Sequence, residues 1–112
     1  MSTVVASKVY TDYYDVAHTI TAAASSNPND FDSPLYNKEN IFIDKGRIAE
    51  RLLIKNDGTD TLFILISHNG GISSSAEVPI YAGESKIYYN VYEIRLRSPT
   101  ISTPYRVMEY EL

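Results

Sequence analysis

The chain has 112 residues, no cysteine, ten tyrosines and a formal net charge of −4. This length supports a single modest core, and the lack of cysteine excludes a disulfide scaffold, a thiolate metal site and a cysteine nucleophile. The acidic balance argues against a nucleic-acid partner, and no apolar run approaches the ~20 residues of a membrane-spanning helix.

The first 45 residues differ in composition from the rest of the chain. They hold three lysines against six acids, and the opening residues lack the charged and apolar regions of a secretion signal. Residues 2–10 are rich in valine, which predicts an extended edge strand. For residues 13–24 the pattern leaves helix and extended chain open. Residues 19–40 hold few large apolar side chains, so we expect a long loop or arm.

Two apolar runs follow, separated by a turn. The short run Ile41–Ile43 predicts a strand, and residues 51–55 and 61–67 are rich in strand-favouring side chains. The segment between the two longer runs contains Asp57-Gly58, which tolerates positive φ, so the pattern predicts a hairpin. If Leu52 and Ile54 face the core, Leu53 faces outward with its basic neighbours.

Residues 61–67 are apolar on both faces. Leu62, Ile64 and Ile66 share one face and Phe63 and Leu65 the other. This strand is therefore either central and covered on each side, or one face meets a partner.

The last third of the chain predicts three more strands. Residues 76–81 contain Pro79, which cannot donate to a ladder, so this strand is short or lies at an edge. Residues 86–98 alternate cleanly, with Ile94 and Leu96 on one face and Arg95 and Arg97 on the other. A closing strand covers residues 105–112.

Five or six strands from Ile41 onward, with turn signals every eight to twelve residues, predict an all-β fold. We expect an antiparallel sandwich or small barrel, jelly-roll-like or immunoglobulin-like, with an extended N-terminal arm. The predicted division is an arm with short strands over residues 1–45 and a sandwich core over residues 46–112.

No residue pattern predicts catalysis, a cofactor or a metal. His18 and His68 stand far apart without a zinc-ligand spacing, and the serines at 73–75 lack a nucleophile-elbow motif. The glycines form no phosphate-binding loop. The acids at 30 and 32 and at 57 and 60 do not match a calcium loop and are typical of self-capping turns. We therefore expect a protein that is not an enzyme.

The tyrosine content is unusual for a chain of this length. Three interpretations are open: the tyrosines are strand and core residues, they stack on carbohydrate, or they pack against other proteins. A carbohydrate-binding module that uses exposed tyrosines such as Tyr88 and Tyr89 is the alternative function. Arg95 and Arg97 form either a solvated stripe or ion pairs with a neighbouring copy's acidic arm. The residues predicted for an interface are Tyr10, Tyr13, Tyr14, Phe63, Leu65, Tyr88, Tyr89, Arg95 and Arg97.

The order of features from Arg51 to Leu112 resembles a known class of proteins. It runs through a strand, an Asn-Asp-Gly turn, a Leu-Phe-Ile strand, a Ser-rich loop, a Gly-Glu turn, an Ile-Arg-Leu-Arg strand and a closing Tyr-Arg-Val strand. This order is similar to that of small β-sandwich virion proteins of tailed bacteriophages, of the head-decoration and tail or connector kinds.

The resemblance implies a structural role without catalysis. Its partners would be copies of the chain and capsid or tail subunits, with an N-terminal arm that reaches across to neighbours. The particle would be assembled in the host cytoplasm, and neither nucleic acid nor membrane would be a partner.

Overall fold

A computed structural model gives the fold and describes residues 8–10, 18–24, 26–28, 30, 32–70 and 77–111. Its elements, in chain order, are β1 (Lys8–Tyr10), β2 (His18–Thr19), β3 (Asn37–Glu39), α1 (Ile41–Lys45), β4 (Ala49–Asn56), β5 (Leu62–Ser67), β6 (Val78–Ile80), β7 (Ser85–Val91), β8 (Glu93–Arg97) and β9 (Pro104–Glu111).

The strands form two sheets that pack face to face, which confirms the predicted antiparallel sandwich. Sheet A has the order β1-β9-β4-β7, with β2 also paired to β9, and sheet B has the order β3-β8-β5-β6. All of these strand pairs are antiparallel. None of the helices within the described residues is long and apolar enough to span a membrane.

The core lies between the two sheets and follows the two-residue period of the strands. Leu52, Ile54 and Val107 from sheet A meet Ile64 and Leu96 from sheet B, and all five are fully buried. The neighbouring positions on each strand therefore point to the outer faces of the sandwich. Leu53 lies on the outer face of sheet A, as the sequence predicted.

The predicted hairpin between residues 51–55 and 61–67 is wrong. The first run lies in β4 of sheet A and the second in β5 of sheet B, so the connection crosses between the sheets. The buried side chain of Asn56 holds this crossing by donating to the carbonyls of Asp60 and Ile80 (2.7 and 2.8 Å) and accepting from Gly58 N–H (2.9 Å). Gly58 does not adopt the positive φ on which the hairpin prediction depended, and both strands pair with strands elsewhere in the sequence.

The strand predicted at Ile41–Ile43 is also wrong, because these residues begin the short helix α1. The side chain of Asn40 accepts a hydrogen bond from Ile43 N–H (3.0 Å) and so caps the first turn. Gly46 ends the helix in the left-handed region (φ 75°), and its N–H bonds to the carbonyl of Phe42. These two caps outweigh the strand preference of the β-branched residues between them.

The later strands agree with the sequence prediction except at residues 86–98, where the single predicted strand is wrong because the structure has two strands in different sheets. Six strands follow Ile41 in the described residues, β6 lies at an edge of sheet B with Pro79, and β9 closes sheet A. The alternating run at residues 86–98 divides at Asn90, whose φ of 53° turns the chain out of β7 and into β8 of the other sheet.

The described part of the predicted N-terminal arm follows the surface of its own molecule. β1 and β2 pair with β9, β3 pairs with β8, and Ile20 and Ile41 are fully buried in the core. These residues thus complete the chain's own sandwich, which differs from the expectation that the whole segment reaches across to neighbours. The undecided segment 13–24 is extended at His18–Thr19, and residues 11–17 lie outside the described part.

Candidate interaction surface

The outer face of sheet B carries charged side chains that are buried by the chain itself. Glu93, Arg95 and Arg97 alternate with the core residues of β8, and all three are less than a tenth exposed. Arg95 and Arg97 are contacted by residues 21–36, which we call the strap and which the structure describes apart from residues 25, 29 and 31. Glu93 accepts a hydrogen bond from Asn40, which lies just beyond the strap (3.4 Å). The expectation of a solvated arginine stripe is therefore wrong.

Arg97 contacts several groups among these buried charged side chains. Its Nε and Nη2 donate to the two carboxylate oxygens of Glu77 (2.7 and 2.6 Å), and its Nη1 donates to the carbonyl of Ala24 in the strap (2.8 Å). The guanidinium also lies over the ring of Phe63, 4.2 Å from the centroid. The hydrogen bonds that Arg97 donates to Glu77 raise the pKa of Arg97. The charge is fully paired and cannot be counted as a free patch.

Tyr36 ties the strap to the same pair. Its hydroxyl donates to Glu77 (2.7 Å) and lies 3.0 Å from Asn27 Oδ1, while its ring packs against Leu65. Burial, followed by the hydrogen bond to Glu77, raises the pKa of the Tyr36 phenol. Arg95 similarly pairs with Glu93 and lies 3.6 Å from Asp32 of the strap. The acidic arm that we expected from a neighbouring copy is supplied by the same chain.

A second polar cluster joins the two sheets at the edge formed by β2 and β3. His18 Nδ1 lies 2.6 Å from Glu39 Oε2, which also accepts from the hydroxyl of Tyr105 (3.2 Å). Asn37 donates to the carbonyl of Thr19 (2.7 Å) and to Tyr105 (3.2 Å). Burial raises the pKa of Glu39, and the nearby His18 acts in the opposite direction. Each group is occupied in holding β2 against β3, so the cluster is structural.

The outer face of sheet A is different, because its apolar side chains are exposed. Cross-strand pairing places Ile87 opposite Leu53, and Leu53 opposite Met108, so these three form one row across β7, β4 and β9. Ile87 is 47% exposed, and Tyr89, which stands next to it on β7, is 58% exposed. Leu53 and Met108 are half-buried. We call this surface, with its basic residues described next, the outer A face.

Basic residues flank the apolar row on both sides. Arg51 lies opposite Tyr89 on one side, and Lys55 lies opposite Arg106 on the other. Lys55 and Arg106 also face Asp57 at the end of the sheet, at 3.7 and 2.8 Å. The outer A face thus combines an apolar centre with positive ends.

Of the nine residues predicted for an interface, Tyr89 is the clearest member of this surface. Tyr88 points to the other side of β7, where it is half-buried and packs against the core. The two tyrosines therefore do not form one stacking platform for a sugar.

Four of the other predicted residues do not add to the exposed surface. Leu65, Arg95 and Arg97 are buried, and Phe63 is half-buried beneath Arg97. Burial removes the first three from any surface that the folded chain presents. Tyr13 and Tyr14, and the side chain of Tyr10, lie outside the described part of the structure.

The sequence interpretation missed Ile87 and Met108 as members of the same surface. The outward direction of Leu53 was available from its alternation with Leu52 and Ile54. Its neighbours were not, because they come from strands more than 30 residues away in the sequence. Only the register of the sheet joins them.

No known family model, curated protein sequence or solved structure matches the chain. Among the described residues, no group of three or more His, Cys, Asp or Glu is placed to hold a metal ion.

Proposed function

We propose that this chain is a non-enzymatic structural subunit that acts by assembling with other protein surfaces. The observation that carries the proposal is the outer A face, where Ile87 and Tyr89 stay about half exposed beside Leu53 and Met108. An apolar row across three neighbouring strands is an unusual outer surface for an isolated sandwich, and contiguous apolar patches mark interaction sites.

The buried charged residues on the outer face of sheet B also support this proposal. Arg97, Glu77 and Tyr36 bond to one another and to the strap, so their polar groups serve the fold. A buried and fully paired network holds one arrangement of the strap. Such a fixed shape suits a subunit that must fit its neighbours.

For the kind of assembly, we propose a tailed-phage particle, in which the chain serves as a capsid decoration or cement protein or as a tail or connector protein. The support for this is the resemblance in the order of strands and turns from Arg51 to Leu112. The proposed partners are copies of the chain and capsid or tail subunits, met in the host cytoplasm during assembly and retained in the virion.

Two experiments test the proposal. The first is sedimentation velocity over a concentration series, and the second is co-sedimentation with phage shells and tails prepared without this chain. We expect concentration-dependent oligomers, binding to one of the particles, or both. A chain that stays a compact monomer at high concentration and binds neither particle would refute it.

The alternative of a carbohydrate-binding module is favoured only by the exposure of Tyr89 and Tyr81, at 58% and 57%. A glycan array with the wild-type chain and with Tyr89→Ala separates it from assembly. Glycan binding that is lost in Tyr89→Ala would support the module, and an array without signal would remove it.

A further inference from the structure

The two outer sides of the sandwich carry opposite charge. The outer A face holds Arg51, Lys55 and Arg106, with Asp57 as the acidic residue that contacts it. This gives the face a net charge of about +2, taking each ionised side chain as a unit charge. Because the whole chain has a net charge of −4, the rest of the molecule has a net charge of −6.

Part of that negative charge lies on the opposite side of the sandwich. The strap covers the outer face of sheet B and presents Asp30 and Asp32, both of which are exposed. Lys38 of β3 lies opposite Arg95 on the same face and is also exposed, so these three side chains leave a net charge of about −1 there. Asp30 Oδ1 accepts from Asp32 N–H (3.0 Å), which fixes this acidic turn. Asp32 also lies 3.6 Å from Arg95, yet its side chain stays 63% exposed.

The charges on these two surfaces favour one contact between two copies over another. If two outer A faces packed against each other, the basic residues of one copy would approach those of the other, and like charges brought together in an interface are costly. If the outer A face of one copy meets the strap side of the next, opposite charges meet around the apolar row. Such a contact joins two different surfaces and continues into a ring or a filament.

We propose that the outer A face docks the strap side of a second copy of this chain, in a head-to-tail contact. The apolar row of Leu53, Ile87 and Met108, with Tyr89 beside it, is covered by the second copy. Arg51, Lys55 and Arg106 face its acidic side. This inference rests on the proposed function, and it identifies the strap side of a second copy as the partner of the outer A face.

Sedimentation velocity of the full chain in low and high salt tests the contact. We expect the wild type to self-associate at low ionic strength and to associate less in 1 M salt, where the Debye length is only about 3 Å. Ile87→Asp places a carboxylate in the apolar row and should weaken association by about tenfold or more. Tyr89→Ser is a second variant of the same surface and should act in the same direction.

Ile101→Asp is the matched control. Ile101 is 60% exposed in the turn before β9, so the same substitution is made at an isoleucine that is also exposed but lies outside β4, β7 and β9. Circular dichroism checks that each variant is folded. Association that is unchanged in both Ile87→Asp and Tyr89→Ser, or is lost equally in Ile101→Asp, overturns the proposal.

Mixing separates a head-to-tail contact from a symmetric one. Ile87→Asp loses its own outer A face but keeps its strap side, so it should bind the exposed face at the end of a wild-type oligomer and shorten the oligomer. In a symmetric contact it would not join wild-type chains, and that result overturns the head-to-tail arrangement. Asp32→Asn should weaken association from the other side.

The outcomes distinguish this inference from the proposed function. Oligomers that persist in the face variants show assembly through another surface, which overturns the inference and leaves the proposed function standing. A wild-type chain that stays monomeric also overturns the inference, and the proposed function is then decided by binding to phage shells and tails.

Discussion

Arg97 and Glu77 form a nearly completely buried ion pair, with Arg97 Nη2 2.6 Å from Glu77 Oε1 and each side chain only 6% exposed. A buried pair of this kind is costly to break, because the remaining partner is left charged and without compensation. It lies beneath the strap, which contributes the carbonyl of Ala24 and the hydroxyl of Tyr36 to the same network. This network therefore couples the strap to sheet B, together with the contact between Asp32 and Arg95.

The first prediction concerns this pair. Arg97→Ala should lower the free energy of unfolding by about 3–5 kcal/mol, because Glu77 would keep its buried charge without a cationic partner. Urea denaturation measures the loss. Arg106→Ala is the control, since Arg106 pairs with Asp57 but is half exposed, and it should cost less than about 1 kcal/mol. Equal losses for the two variants would contradict the buried pair.

The second prediction concerns the caps of α1. Asn40→Ala removes the oxygen that accepts from Ile43 N–H and should cost about 1 kcal/mol, whereas Asn40→Ser keeps a capping oxygen and should cost less. Gly46→Ala should cost about 1–2 kcal/mol, because its φ of 75° is strained for a residue with a Cβ. No atom lies within 4 Å of that Cβ, so the loss is conformational. Shifts in the urea midpoint test both, and an unchanged midpoint for Gly46→Ala would exclude the left-handed cap.

The third prediction concerns the crossing between the sheets. Asn56→Ala should destabilise the chain by about 3 kcal/mol or more, because it removes three hydrogen bonds to backbone groups of Gly58, Asp60 and Ile80. Thr59→Ala, in the same loop but exposed, should change stability by less than about 0.5 kcal/mol. Thermal unfolding of both variants measures the difference. A small effect at Asn56 would mean that the crossing is held by other contacts.

The fourth prediction concerns pH. Burial raises the pKa of Glu39, so at a pH between the unfolded and folded pKa values the folded chain binds more protons at this group than the unfolded chain does. The contribution of Glu39 to stability is thus most favourable below the unfolded pKa and is lost as pH rises through the folded pKa.

Glu39→Gln should remove this contribution and flatten the pH dependence of unfolding above pH 4.5. The groups that face Glu39 are His18 of β2, Asp44 of α1 and the hydroxyl of Tyr105. Urea midpoints measured at a series of pH values for wild type and Glu39→Gln are the test. Identical slopes for the two proteins would contradict the raised pKa.

The sequence by itself determined the fold class, because the two-residue period of Leu52, Ile54, Ile94 and Leu96 is a local property of the chain. It also indicated that Leu53 faces outward and that the strand with Pro79 is short or lies at an edge, and β6 is both. Tertiary structure decided which strands pair, and so it placed β4 and β5 in different sheets despite the turn between them. Tertiary structure also determined that Arg95 and Arg97 are buried, because alternation shows only that their side chains point away from the core.

What covers the outer face of sheet B is a strap from a distant part of the chain, held by contacts such as Arg97 with Ala24, 73 residues apart. The outer A face depends in the same way on register, which joins Ile87, Leu53 and Met108 from three separate strands. The two-residue period is a property of residues that are neighbours in the sequence. Which strands pair, and which segment covers a sheet face, depends on the free energy of the whole folded chain.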